Sequence, residues 1–153
     1  QQEQQLALPL ARLTQLLSDQ GVNDLRFSRK QIQRCLRLRT WWMRDQQQSA
    51  DALNERERLK LHQELEEDLP AFTLAWPMER QKEWLSRWRD QKDTLFHPSA
   101  PLNGRTLQAE LGLHPGPRLG ELMDHLCLER AFGRIRSQDD AIQCARAWIN
   151  KPL

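Results

Sequence analysis

Five side chains that follow Ser28 combine positive charge with a flat aromatic ring, a combination that can bind a nucleic-acid backbone. Helical spacing of three or four residues would place them on one stripe: Lys30, Arg34, Arg37, Trp41 and Arg44. Guanidinium groups bind phosphate oxygens in pairs, and an indole can stack on an exposed base or ribose. The stripe therefore indicates a candidate RNA-backbone contact. Taken alone, it slightly favours a solvated helix face on which Trp41 is tucked into a neighbour.

A second candidate site lies within residues 114–120, where one short helix ends and another begins. Pro117 suits the first position of a helix, and Gly116 before it can adopt whatever cap conformation the helix needs. The first free amides of that helix would face outward with the positive end of its dipole. The sequence thus predicts an anion seat for a phosphate, formed by the amides of Arg118, Leu119 and Gly120, with the Arg118 side chain beside it.

The last third of the chain carries a spaced pattern of Leu, Gly and Pro residues. Its members are Pro101-Leu102-Asn103-Gly104, Leu107, Leu111-Gly112-Leu113, Pro115-Gly116-Pro117, Leu119-Gly120, Leu122, Leu126 and Gly133. This pattern resembles the C-terminal region of the tRNA nucleotidyltransferases, the family of CCA-adding enzymes and poly(A) polymerases. The first two thirds fit the helical body of that family only loosely. Thr106 replaces the usual Asp, which we interpret as a tolerated change because Thr can still bond locally near a helix start.

The resemblance implies that the chain is the body and tail of such an enzyme, the part that holds tRNA while a catalytic head does the chemistry. The partners it implies are tRNA and the head and neck of the parent protein, which would need Mg²⁺ with ATP or CTP. The resemblance also favours an RNA contact at the basic stripe. For the loop at 114–120, it favours tRNA over DNA as the ligand. Two other interpretations of the loop stay open: half of a helix-hairpin-helix DNA-binding motif, and a structural turn without ligand.

The carboxylates that nucleotidyl transfer requires have no counterpart in this sequence. That reaction needs paired carboxylates to hold two metal ions on the incoming triphosphate. In the family they lie in a Gly-Gly/Ser, Arg-Asp and Asp-x-Asp head, whereas Arg89-Asp90 here is a bare dipeptide on a predicted helix. The four histidines are scattered without metal-ligand spacing. We therefore expect no catalytic residue, metal site or cofactor in this chain. Which nucleotides the parent adds, CCA, CC, A or poly(A), is not encoded here.

Composition limits how this chain can bind RNA. The formal charge is only +2 over 153 residues, so an RNA partner requires basic residues gathered on one face. Cys35, Cys127 and Cys144 are interpreted as buried thiols of a reducing compartment. No stretch approaches the roughly 18 unbroken apolar residues of a membrane span, which predicts a cytoplasmic protein with no membrane segment. The chain starts at Gln1 without Met, and we interpret it as a piece of a longer protein.

Apolar residues recur with helical period nearly throughout the chain. The pattern predicts an all-α fold, an irregular array of about seven helices with no sheet. It also predicts a helical body over 1–96, a linker at 97–101 and a helical tail over 102–153. Ser28 and Ser137 are expected to cap helices. The pair Trp84 and Trp88 is expected to pack within or between helices, and the acidic run at 64–68 is expected to be a solvated helix end.

The main alternative function is a helical interaction module that binds no RNA. In that case the basic stripe and the apolar helices would dock a partner protein or a second copy of the chain, giving a homo-oligomer. Salt dependence separates the two functions, since RNA binding weakens steeply with salt and apolar docking does not.

Overall fold

The computed structural model describes residues 2–150, and over that range it is all-α with no strand. The described helices are α1 Gln2–Leu16, α2 Asp19–Asp24, α3 Arg29–Gln47, α4 Glu55–Leu65, α5 Leu69–Thr73, α6 Met78–Arg89, α7 Gly104–Leu111, α8 Pro117–Ala131 and α9 Gln138–Ile149, with a 3₁₀ turn at Ala50–Ala52. The all-α prediction is confirmed. The helix count exceeds the predicted seven because α2 and α5 are too short to show a helical period. Residue 1 and residues 151–153, the end of the predicted tail, lie outside the described part.

The chain divides into two compact units, Gln1–Asp90 and Gln91–Leu153. This division precedes the predicted linker at 97–101, which belongs to the second unit. Phe96 is fully buried there, and the Thr94 hydroxyl donates a hydrogen bond of 3.1 Å to the carbonyl of Arg130. Arg130 in turn donates to the carbonyl of Ala100 at 3.3 Å. The Pro-containing segment is therefore anchored to α8 despite its linker-like composition.

The start of α3 follows from a capping box at its first turn. The amide of Gln31 donates to the Ser28 hydroxyl at 3.3 Å, and the amide of Ser28 donates to the Gln31 side chain at 3.1 Å. These bonds satisfy amides that a helix start leaves without partners. The predicted cap at Ser28 is confirmed, and it sets the first residue of the helix that carries the basic stripe.

In the middle of the first unit, helical spacing alone predicts one helix at about 51–67, ended by Pro70, and another at about 77–95, and the structure differs from both. Asn54 caps α4, so this helix begins at Glu55, after the 3₁₀ turn. Pro70 lies in the first turn of α5 and so begins a helix where we expected it only to end one. This arrangement folds the acidic run into the turn between α4 and α5, whereas the expected helix would have carried it outward into solvent.

Two tryptophans of the first unit form a polar and aromatic network. Trp84 is 2% exposed, and its indole N–H donates to Asp51 at 2.9 Å, while the Arg58 guanidinium lies 4.2 Å above its ring. Trp76 repeats this pattern with Asp45 at 2.7 Å and with Arg80 stacked at 3.5 Å. The network ties α6 to the region around the 3₁₀ turn. Trp84 is thus a core residue, as predicted.

The second unit has a separate apolar core formed by α7, α8 and α9. Its buried members are Leu102, Leu107, Leu119, Leu122, Leu126, Ile135, Ala141 and Ala145. On α8, helical spacing predicts one buried face, and its members are buried apart from the partly buried Met123: Leu119, Leu122, Met123, Leu126 and Cys127. Cys127 is buried here and Cys35 is buried in the first unit, as predicted. Cys144 is only partly buried, with its sulfur 3.6 Å from the His125 ring.

Hydrogen bonds at the start of α9 lower the pKa of Asp140. The backbone N–H of Arg136 makes the largest contribution, followed by the side chain and backbone of Ser137. A depressed pKa means that this carboxylate stabilises the fold above its unfolded value of about 3.9 and stops doing so as pH falls through the folded pKa. An NMR titration should give a midpoint for Asp140 below about 3.9, and Ser137→Ala should move it towards that value. A midpoint at or above it would contradict the capping geometry.

Candidate nucleic-acid interface

The guanidinium of Arg34 is committed to an ion pair inside the first unit. Its Nε lies 3.0 Å from both carboxylate oxygens of Asp68, and Asp68 is only 6% exposed. The hydrogen bond to Asp68 is the largest cause that raises the pKa of Arg34 above its ordinary value. The Arg34 guanidinium thus neutralises a nearly buried carboxylate and stabilises the fold. A phosphate would have to displace Asp68 in order to bind Arg34.

The C-terminal end of the predicted stripe is also engaged within the protein. Trp41 is 3% exposed, and its indole N–H donates to Glu64 at 2.8 Å. Arg44 forms an ion pair with Glu57 and lies 5.1 Å from the Trp41 ring centroid. Because α4 packs along α3 at this point, the indole offers no exposed face for a base to stack on. Trp41 therefore packs against the neighbouring helix, which is the alternative that the stripe alone slightly favoured.

Apart from Arg34, the N-terminal half of α3 keeps its cations exposed. Arg29 and Arg37 are exposed, and the Lys30 side chain is 76% exposed, with Glu67 3.8 Å from its ammonium group. These residues line one wall of a groove together with Gln33 and Arg34. The available basic face is therefore Arg29, Lys30 and Arg37, rotated from the stripe that the spacing predicted.

Arg29 was missed from the sequence because the predicted stripe ran through Arg34. Residues 29, 33 and 37 have the same four-residue spacing, so periodicity alone gave two overlapping stripes. The acidic run at 64–68 was the signal that could have identified Arg29. Carboxylates that pack against α3 neutralise the cations they face and leave the other cations exposed.

The opposite wall of the groove is acidic. It is formed by the end of α4 and the α4–α5 turn, with Gln63, Glu64, Glu66, Glu67 and Asp68. The expectation that this run is solvated holds for Glu66 and Glu67, which are exposed, but not for Asp68, which is nearly buried, or for Glu64, which accepts the Trp41 bond. Cations and carboxylates of the first unit thus face each other across one groove.

The predicted anion seat at the start of α8 is smaller than expected. The amides of Leu119 and Gly120 donate to the carbonyl of Gly116, at 3.1 and 3.4 Å. Because both amides are used within the helix, neither is available to a phosphate. Only the Arg118 amide takes no part in these bonds, and no side chain caps the helix start.

The Arg118 side chain points towards α9. Its guanidinium donates to the carbonyl of Ile149 at 3.1 Å and lies 5.9 Å from the Trp148 ring centroid. A cation at the C-terminal end of a helix is favourable for the helix dipole. Arg118 therefore helps to hold α8 and α9 together, and the structure does not direct its side chain to the predicted phosphate position.

Gly116 and Gly120 both lie in open space at the surface. A Cβ added at either position would meet no atom within 4 Å. If the loop is only a structural turn, Gly120 is not there to permit a close approach of two helices. Gly116 is extended, with φ 163°, a conformation that other residues also adopt.

Residues 2–150 contain no group of three or more His, Cys, Asp or Glu side chains placed to hold a metal ion. None of the helices described in that range is long and apolar enough to cross a membrane.

Comparison with curated proteins finds a partial similarity to a tRNA enzyme. An A-adding tRNA nucleotidyltransferase of Deinococcus radiodurans is 37% identical over 57 residues, which is 35% of this chain and 13% of that protein. No family model matches the chain, and no solved structure matches it. The partial similarity supports a related origin, and it agrees with the family that the Leu, Gly and Pro pattern resembles.

Proposed function

We propose that this chain is a tRNA-binding helical body and tail of a tRNA nucleotidyltransferase-like protein. The observation that carries the proposal is the partial similarity to an A-adding tRNA nucleotidyltransferase. In this proposal a catalytic head outside the chain adds the 3′-terminal nucleotides of CCA, using Mg²⁺ with ATP or CTP. The chain itself holds tRNA and incorporates no nucleotide alone.

The RNA-contacting surface is the exposed cationic face of α3. Arg29 and Arg37 are eight residues apart, so a rise of 1.5 Å per residue separates them by about 12 Å along the helix. That distance exceeds the spacing of neighbouring phosphates along one strand, and Lys30 lies between them. The face therefore fits several backbone contacts and no base-specific contact, as expected for a part that positions tRNA.

The start of α8 is assigned a secondary contact. The dipole of a 15-residue helix and the Arg118 amide favour an anion there. With the amides of Leu119 and Gly120 used inside the helix, this end is a weaker phosphate site than the α3 face.

A second candidate function is the interaction module without RNA binding. Exposed apolar side chains favour it: Leu16 is 80% exposed, Met78 67% and Leu25 58%. Arg34 pairs with Asp68 and Arg44 pairs with Glu57, as expected if the stripe serves packing within the protein. In this case the partner would be another protein or a second copy of the chain.

The double variant Arg29→Ala, Arg37→Ala should weaken tRNA binding and flatten its salt dependence. Removing one phosphate contact reduces the slope of log affinity against log salt by about 0.7 to 0.9, so the slope should fall by up to about two. Fluorescence anisotropy with labelled tRNA at several salt concentrations measures both quantities.

Arg56→Ala is the matched control for charge. Arg56 is exposed in the first turn of α4, away from the groove-lining residues at the other end of that helix. Arg56→Ala should change the slope of log tRNA affinity against log salt by much less than Arg29→Ala or Arg37→Ala alone. If the double variant binds tRNA with unchanged affinity and slope while circular dichroism shows an intact fold, the α3 face is not the RNA site.

A further inference from the structure

Glu67 places an anionic group beside Lys30, where a backbone phosphate could also bind. Its carboxylate is 3.8 Å from the ammonium group, and both side chains are about three-quarters exposed. The Glu67 carboxylate and an RNA phosphate are both anions that bind an ammonium group through oxygen atoms. Only one of them can occupy the same side of Lys30 at a time.

The neighbouring residue keeps Glu67 at this position. Asp68 is bound by the fork of Arg34, and its carbonyl accepts the amides of Ala71 and Phe72 at 2.9 and 3.0 Å. The turn that carries Glu67 is therefore attached to α3 on one side and to α5 on the other. Rotation of its side chain moves the Glu67 carboxylate, but the turn itself stays beside the basic face.

We propose that the acidic α4–α5 turn regulates the RNA site of α3, with Glu67 acting as an intramolecular competitor for phosphate at Lys30. The inference rests on the proposed function. RNA binding requires the Glu67 carboxylate to leave Lys30, and the charge of the turn repels the incoming strand. The competition lowers the affinity of the α3 face for every polyanion. The few contacts on α3 therefore contribute little to binding unless the rest of the tRNA is also bound.

Glu67→Gln tests the competition directly, because it keeps the shape of the side chain and removes its charge. Exposed ion pairs contribute about 0.2 to 1 kcal/mol, which corresponds to an increase in tRNA affinity of about 1.4- to 5-fold at low salt. The salt dependence should also steepen, by up to about 0.9 in slope, since one more cation is available to replace counterions on the RNA. A purely structural effect of the substitution would not steepen the slope.

Glu79→Gln is the matched control. Glu79 is 87% exposed on α6 and pairs with Lys82 at 3.2 Å, so the variant has the same change in net charge and also frees one exposed lysine. It does not line the groove. Equal gains for Glu79→Gln and Glu67→Gln would overturn local competition and leave only the effect of net charge.

The remaining outcomes separate this inference from the proposed function. If the wild-type chain binds tRNA and Glu67→Gln changes neither the affinity nor the salt slope, the inference is overturned and the proposed RNA binding stands. Binding by Glu67→Gln where the wild-type chain binds too weakly to measure supports the inference. Absence of binding by wild type, Glu67→Gln and the charge-reversed Glu67→Lys overturns both.

Discussion

Arg34→Ala should lower the free energy of unfolding of the first unit by about 2 to 4 kcal/mol, whereas Arg37→Ala should lower it by less than about 0.5 kcal/mol. Removing Arg34 leaves the Asp68 carboxylate nearly buried without its fork of donors, and an unpaired buried charge is costly. Arg37 is exposed, and surface substitutions of that kind are close to neutral. Urea unfolding followed by circular dichroism measures both values.

Arg34→Lys is the informative control for this pair. Lysine keeps the charge but offers a single ammonium in place of a planar fork, so its cost should lie between that of wild type and Arg34→Ala. The double variant Arg34→Ala, Asp68→Ala should regain part of the loss, because it removes the buried charge as well. If Arg34→Ala and Arg37→Ala are equally mild, the ion pair with Asp68 does not hold the α4–α5 turn against α3.

Trp84→Ala should be the most destabilising single change in the first unit, with a loss of about 3 to 5 kcal/mol in the free energy of unfolding. The indole is 2% exposed, so its removal leaves a large cavity in a packed interior. The change also removes the donor to Asp51 and the ring beneath the Arg58 guanidinium. Thermal or urea unfolding should show the loss directly.

Trp84→Phe separates packing from hydrogen bonding in this network. Phenylalanine keeps most of the aromatic contact and loses the N–H, so its cost should be nearer to about 1 to 3 kcal/mol. A loss below about 1 kcal/mol for Trp84→Ala would mean that the network around Trp84 is peripheral to the stability of the unit.

Local signals in the sequence predicted the helical class and the helix starts well. The caps at Ser28 and Ser137 act within four residues, and the buried leucines of α8 recur at three- and four-residue spacing. Such features depend on neighbours along the chain, so no tertiary information is needed to identify them. The short helix α5 was missed because five residues with a proline in the first turn carry almost no periodic signal.

The partners of the basic stripe could not be predicted from local patterns. Arg34 binds a carboxylate 34 residues away, and Trp41 donates to Glu64, 23 residues away. These pairings depend on how α4 and the following turn pack on α3, and helical spacing gives only the face of a single helix. The sequence therefore predicted a basic helix and two of its exposed cations, Lys30 and Arg37, but it did not indicate that Arg34 and Arg44 pair within the protein.

The anion seat at α8 has fewer free amides than predicted for a different reason. Pro117 and Gly116 identified the helix start correctly, and α8 begins at Pro117. With Gly116 as the cap, the Gly120 amide makes the ordinary α-helical bond to the Gly116 carbonyl, so the helix start already excluded it; the additional bond from Leu119 depends on the backbone angles of the turn. A correct boundary thus led to an incorrect count of available donors.

The most direct test of tRNA binding is the affinity of the wild-type chain for tRNA between about 50 and 200 mM salt. Arg29 and Arg37, together with a Lys30 for which Glu67 competes, predict saturable binding whose log affinity falls with log salt at a slope of about −1.4 to −2.7. Binding that is insensitive to salt, or no saturable binding at about 50 mM, would contradict tRNA binding by the α3 face and favour the interaction module.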